Sequence, residues 1–433
     1  MPSFSIPLSG LDASQQALSV IANNLSNMDT VGYKNEEVNF KDLFYQSLGT
    51  SGSGDDLEVG AGVAVGSISG NFTAGNVEST SVPTDVAING NGFLVTQLNG
   101  QTEYTRAGDL QVSNSGYLTT QDGQYVMGYP ATNGVVSNTA LSPLEVGTGS
   151  TVPATATTNL QMNMNLDADA TAGTTSYSYP MTVYDSLGTS QVVTFTFANT
   201  GANTWSYTAT VPSTSLSVDP NTQAPITSST PLYQVQIATG SLGFSPTGTL
   251  STVNGAAVSA TSPDITSLAL TGLADGANAM SINWEGMNSS GTSLITQTSA
   301  ASGTSKSSQD GFASGTLNSF AIQADGTIEG SYSNGQSMAL GQIVLAQFGN
   351  QDGLSRVGDN SFQSTVASGQ AVIGTPGAGG LGTLTGGSLE ESNVDMATEF
   401  SAMIVNQSAY AADAKVITTF NQLEQETVNI EQG

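Results

Sequence analysis

The sequence predicts a mixed fold, with N- and C-terminal α-helices forming a coiled-coil-like stem and two all-β domains between them, one nested inside the other. Three observations predict it. Apolar residues recur at helical spacing near the start of the chain, and they do so again over a longer stretch at its end. Everything between alternates polar with apolar residues around Asn-Gly, Asp-Gly and Ser-Gly turns.

In the first segment Leu11, Leu18 and Leu25 repeat every seven residues, and Ile21 and Met28 fill the intervening positions. Ser9 and Asp12 form an S-x-x-D start signal, and Ser14 is the one weak place on the seam. Gly32 is expected to end the helix. Asn23, Asn24 and Asn27 are expected to bond between helices and fix their register, as a buried Asn does in coiled coils. A helix of about 20 residues is marginal in water alone, so this stripe needs a partner.

The last segment opens after Gly386-Gly387, a predicted break or hinge. A doubled start signal follows, Ser388 to Glu391 and Ser392 to Asp395. Met396, Phe400, Met403, Tyr410 and Ile417 form one apolar stripe; Val405, Ala409, Ala412, Val416, Phe420, Leu423 and Ile430 form a second. With no Pro or Gly before Gly433, this reads as a long helix that has more than one neighbour.

Between the ends, "DVAINGNGFLVTQ" and "TEYTRAGDLQVSNSGYLTTQDGQYVMGY" match in style the later block "FAIQADGTIEGSYSNGQSMALGQIVLAQF". These two blocks are therefore read as one domain interrupted by an insert. The expected organisation is a core helix at 1–32 paired with one at 388–433 and a connector at 33–70. A β domain is expected from 71–147 plus 305–376, an inserted β domain at 148–304, and a Gly-rich connector at 377–387.

Composition narrows the function. The net charge is −28 with only six basic residues, so contacts to nucleic-acid phosphates or to anionic membranes through a basic patch are excluded. Cysteine and histidine are both absent. Disulfides, thiol chemistry, the Ser-His-Asp and Cys-His arrangements and the common zinc sites therefore fall away. The glycines of "NGNGF" precede a strand-like run, so they read as a turn and not as a dinucleotide loop. "LDADA" and "GNQDGLSRVGDN" lack the spacing of a calcium loop, and the Ser-flanked Lys306 lies in a Gly/Ser/Thr run. Trp205, Trp284, Tyr184 and Phe195 sit in alternating strands and are read as packing residues. No enzyme, cofactor or metal site is expected. The N-terminus lacks the basic region of a cleaved secretory signal, so export without one is expected.

Several segments then carry a resemblance. "NNLSNMDTVGYKN" closely resembles the N-terminal motif of bacterial flagellar rod and hook proteins, through Asn23, Asn24, Leu25, Asn27, Thr30, Gly32, Tyr33 and Lys34. "SLEESNVDMATEFSAMIVNQSAYAADAKVI" is similar to that family's C-terminal helix, although Ser408, Ala411 and Asp413 depart from the residues common there. "NGNGFLV", "YTRAGDLQVSNSGYLTTQDGQYVMGYP" and "FGNQDGLSRVGDNSF" also resemble family segments. The long insert, with "VYDSLG" at Val183–Gly188, favours a hook-type over a rod-type subunit. A distal-rod-type axial subunit is the near alternative, and a secreted β-rich adhesin or polysaccharide-binding protein the distant one.

The resemblance implies a self-assembling structural subunit of a flexible tube outside the cell that transmits torque. It implies as partners copies of the same chain, a hook-capping protein, the distal rod protein, the hook-associated junction protein and the flagellar type III export apparatus. On this reading Leu11, Leu18, Ile21, Asn23, Asn24, Leu25, Asn27, Met28, Met396, Phe400, Met403, Tyr410, Val416, Ile417, Phe420 and Leu423 form the polymerisation core. Both ends are expected to be loosely ordered in the monomer and to order when copies surround them.

Overall fold

The computed structural model describes residues 5–44, 46–50, 56–147, 149–173, 176–227, 232–259, 264–288 and 290–431. Residues 51–55 of the predicted connector and Gly433, the predicted stop, lie outside them. The chain divides into two compact units. One comprises 1–148, 318–331 and 337–433; the other comprises 149–317 and 332–336.

The first unit contains both helices, α1 (Ser5–Ser26) and α2 (Met396–Glu431). α1 begins earlier than the S-x-x-D signal suggests. Pro7 lies in its first turn, where the missing N–H costs nothing. The Ser9 hydroxyl donates to Ile6 O (2.7 Å) and accepts from Val63 N (3.2 Å), so it tethers the helix to the neighbouring strand and does not cap it. α2 starts where its second signal lies: Asp395 Oδ1 accepts the Thr398 N–H at 2.7 Å.

The segment that follows α1 folds back as an antiparallel hairpin, Glu36–Asp42 with Val63–Gly70. The β body behind it pairs Phe93–Leu98 with Gln101–Thr105 through a two-residue turn at Asn99 (φ 51°) and Gly100 (φ 83°). Both residues have positive φ, as a hairpin turn matched to strand twist requires. The strand Tyr125–Val136 pairs on one side with Phe93–Leu98 and on the other with Ser337–Ile343. The two blocks on either side of the insert thus share one sheet. Val86, Ile88, Leu94, Leu118, Ile328 and Leu345 fill the core beneath it.

The predicted connector 377–387 is not free chain. Thr383–Gly386 pairs with Val86–Asn89, and Ser388–Glu390 pairs with Val77–Ser79. Gly386 lies so close to the backbone at Ile322 that a Cβ would stand 2.5 Å from its carbonyl oxygen. Gly387 (φ 65°) makes the turn between the two strands, bonded to Asp85 O (2.8 Å) and to Thr80 N (2.9 Å). Glycine serves here for close approach and left-handed geometry, so the stretch is docked on the body.

The second unit is all-β. Ser176–Tyr184, Ser190–Gly201, Thr204–Pro212 and Gln234–Phe244 form an antiparallel meander extended by two short strands. A second sheet is centred on Asn159–Asp167, which pairs in parallel with Met280–Glu285 and Ile295–Thr298 and antiparallel with Gly303–Gln309. Every second residue faces inward, and both sheets feed one core. Trp284 stands 4.9 Å from the Phe195 ring and 5.1 Å from Tyr207. Trp205, Trp284 and Phe195 are fully buried in this core, and Tyr184 is half-buried.

Candidate assembly site

α1 and α2 run antiparallel. Asn24 Nδ2 donates to Glu399 Oε1 at 3.0 Å near one end, and Gly10 lies against Asp413 near the other. The seam of α1 is not the predicted leucine ladder. Ala13, Ser14, Ala17, Val20, Ile21 and Asn24 are buried, while Leu11, Leu18, Leu25 and Met28 are half-buried on the adjoining face. Small side chains let the helix axes approach closely, so the narrow Ala/Ser face wins the intramolecular contact. Ser14, the weak point of the leucine ladder, is 8% exposed.

The three asparagines differ in use. Asn24 is 1% exposed; its amide donates to Glu36 O (2.8 Å) and accepts from Glu36 N (2.9 Å), locking α1 onto the hairpin as well as onto α2. Asn23 Nδ2 donates to the Tyr33 hydroxyl (3.1 Å). Asn27 is half-buried and serves the end of α1, donating to Asn23 O at 2.9 Å and accepting from the Thr30 hydroxyl at 3.2 Å. Burial raises the Glu399 carboxyl above its usual range, against the lowering hydrogen bond from Asn24. Burial likewise raises the Tyr33 phenol, helped by the Glu36 charge.

Beneath the helices lies a cluster that the sequence reading did not single out. Lys34 Nζ meets Glu390 Oε1 at 2.6 Å and also donates to Thr73 O (2.7 Å). Arg106 Nη1 reaches Glu390 Oε2 at 3.2 Å, and its Nη2 donates to Gly90 O (2.7 Å). All three charged side chains are 0–1% exposed. Burial pushes the Lys34 ammonium below its usual range, and the Glu390 carboxylate opposes that shift. Gly32 (φ 66°) threads over this cluster: its N–H donates to Glu390 O (2.7 Å), and a Cβ would stand 2.5 Å from Arg106 O. Asn393 closes the ring, accepting from Asn35 N (2.8 Å) and donating to Asn71 O (2.8 Å). At the rim, Arg356 pairs with Glu36 (2.8 Å) and lies over the Tyr33 and Phe362 rings.

Among the described residues these are the ion pairs present, so half of the six cations, Lys34, Arg106 and Arg356, serve one clasp. A signal for it existed: in a chain so poor in bases, three of them stand inside the "VGYKN", "YTRAGD" and "LSRVGD" motifs.

Among the described residues nothing covers the outer face of α2. Met396, Phe400, Tyr410, Val416 and Leu423 are exposed by 37–50%, and Ile404 and Val405 by 63% and 66%. Met403, Ile417 and Phe420 are half-buried on its inner side. The α1–α2 pair therefore spends one stripe on itself and leaves a second in water, which suits a helix pair built for further neighbours. No helix among the described residues is long and apolar enough to cross a membrane.

Comparison with known proteins agrees with this arrangement. Residues 6–34 match the flagella basal body rod protein model, and 385–430 match the flagellar basal body rod FlgEFG protein C-terminal model. Residues 87–171 match the flagellar hook protein FlgE/F/G D1 domain, and 161–312 the flagellar basal body protein FlaE D2 domain. The flagellar hook protein FlgE of Salmonella typhimurium is 35% identical over 99% of this chain and 100% of its own length. That of Escherichia coli is 34% identical over 99% of each, and that of Treponema pallidum 32% identical over 95% and 96%. The crystal structure of Helicobacter pylori flagellar hook protein FlgE2 shares the fold, with a TM-score of 0.52 at 15% identity over 71% of this chain and 98% of that one. With two terminal helices clasped to a β body and full-length relatives above 30% identity, this chain belongs to the flagellar hook protein FlgE family.

Proposed function

We propose that the uncovered face of α2, together with Leu11, Leu18, Leu25 and Met28 of α1, is the surface through which copies of this chain polymerise into the hook. The observation that carries this reading is the row of apolar residues on α2 that finds no cover among the described residues. Fully burying one such side chain contributes about 1.5–3 kcal/mol, and repetition over many copies sums those terms against the cost of ordering. The buried clasp at Lys34, Arg106 and Glu390 holds the helix pair in a fixed pose on the β body of the same unit.

Assembly on this reading takes place outside the cell, after export through the flagellar type III apparatus. A hook-capping protein guides insertion, the distal rod protein receives the first copies and a hook-associated junction protein meets the last. Flexibility suits a surface with few fixed charge pairs: neutral contacts exchange register at low cost, whereas ion-pair networks favour one register. Electron microscopy of cells lacking this chain tests the proposal. Rods that carry neither hook nor filament support it; normal hooks in the deletion strain refute it.

A further inference from the structure

A pocket of about 300 Å³ lies between α1, the strand Glu36–Asp42 and the first turns of α2. Val20 and Ile21 of α1, Val38 and Phe40 of the strand and Ala402 of α2 give it apolar walls. Its polar groups call for a cation. Glu399, 7% exposed, has no ion pair among the described residues and meets only the neutral Asn24 amide, at 3.0 Å. Asn35 Oδ1 is buried with no hydrogen-bond partner. Glu37, exposed to solvent, adds a second unpaired carboxylate to the lining. Burial raises the Glu399 carboxyl above its usual range, and the Glu37 charge adds to the rise. No Lys or Arg lines the pocket. Buried charges are normally paired, and an ammonium on a long apolar stem suits this shape, its stem along the walls and its head at the carboxylate.

Charge complementarity identifies the occupant. Lys34, Arg106 and Arg356 are taken by the clasp, which leaves Lys41, Lys306 and Lys415. Lys306 lies in the second unit and Lys41 on the hairpin. Of the three, only Lys415 lies on α2, exposed beside Val416 in the uncovered apolar row. Its helix offers it no carboxylate one turn away, since Ala411, Ala412, Thr418 and Thr419 occupy those positions. Nor can it fill the pocket of its own chain. It follows Glu399 by 16 residues of continuous helix, about 24 Å, which is farther than its side chain reaches. Two copies lying side by side and offset along α2 bring the groups together. We propose that the pocket at Glu399 receives the Lys415 ammonium of a second copy in the assembled hook and so fixes the offset between neighbouring helix pairs; this rests on the hook-subunit reading.

Isolated hooks, and subunits dissociated from them, are treated with a water-soluble carbodiimide, which joins an amine to a carboxylate in contact with it, and the digests are read by mass spectrometry. The expected result is a Lys415 peptide joined to a peptide carrying Glu399 or Glu37, at least tenfold more abundant in hooks. Equal abundance in the two samples, or no such link in hooks, overturns the proposal. Lys41 or Lys306 joined to Glu399 in place of Lys415 also overturns it. Lys415→Gln gives a second arm that removes the charge from an exposed position: hook yield falls at least tenfold while the monomer melts as wild type. Wild-type hook yield from Lys415→Gln overturns the proposal. Absence of the chain from isolated hooks removes the hook-subunit reading and this one together, whereas its presence without the Lys415 link removes this one alone.

Discussion

Lys34 Nζ and Glu390 Oε1 meet at 2.6 Å although 356 residues separate them in the chain. The contact ties the end of the N-terminal helical segment to the strand that leads into α2, and Arg106 of the β body joins the same carboxylate. One buried anion thereby fixes three distant pieces of chain.

Removing that anion strands two buried cations. Breaking a buried pair typically costs about 3–5 kcal/mol, so Glu390→Ala should lower stability by that order. The molecule supplies separate probes: both tryptophans lie in the second unit, and the long helices lie in the first. The 222-nm circular dichroism transition of Glu390→Ala shifts to lower urea, while the tryptophan fluorescence transition stays put. Coincident wild-type transitions by both probes would contradict the assignment of the clasp.

Gly32→Ala places a Cβ against Arg106 O at a left-handed φ of 66°. Left-handed geometry alone costs a non-glycine residue about 1–2 kcal/mol, and the backbone contact adds to it. The 222-nm midpoint should fall by at least that much, and a wild-type midpoint would show that the turn relaxes freely.

Glu399 gives a pH signature. Its carboxyl is raised by burial, so the folded state binds the proton more tightly than the unfolded chain does. Stability then declines as pH rises from the ordinary carboxylate range through the raised value. Glu399→Gln keeps an oxygen to accept from Asn24 and removes the titration. Its 222-nm midpoint should fall less than that of wild type across this window and lie higher at neutral pH.

Val405, 66% exposed on α2, separates assembly from folding. Val405→Asp should change monomer stability by no more than about 0.5 kcal/mol, as surface substitutions do. Electron microscopy of cells carrying it should show rods with short or absent hooks. Wild-type hook length would place the polymer contact elsewhere.

The sequence made the two terminal helices and the split β domain legible, because heptad spacing, Asn-Gly turns and matching blocks are local signals. The face that α1 buries was not legible. The leucines dominate a hydrophobicity pattern, but helix–helix distance is set by the small residues Ala13, Ser14 and Ala17, whose signal is weak. The clasp was hidden for a different reason. Lys34, Arg106 and Glu390 are far apart in the chain, and a lone charge reads as solvated until the fold encloses it. The Gly-rich run at 377–387 looked like a free connector because composition reports flexibility and not pairing, yet strand Thr383–Gly386 docks on Val86–Asn89.

The central claim is that the outer face of α2 is finished only by other copies of the chain. Amide hydrogen exchange resolved along 396–431, compared between dissolved subunits and isolated hooks, tests it most directly. The account predicts rapid exchange over the half around Leu423 and Val428 in the subunit and protection rising at least a hundredfold in hooks. Equal protection in both forms would contradict it.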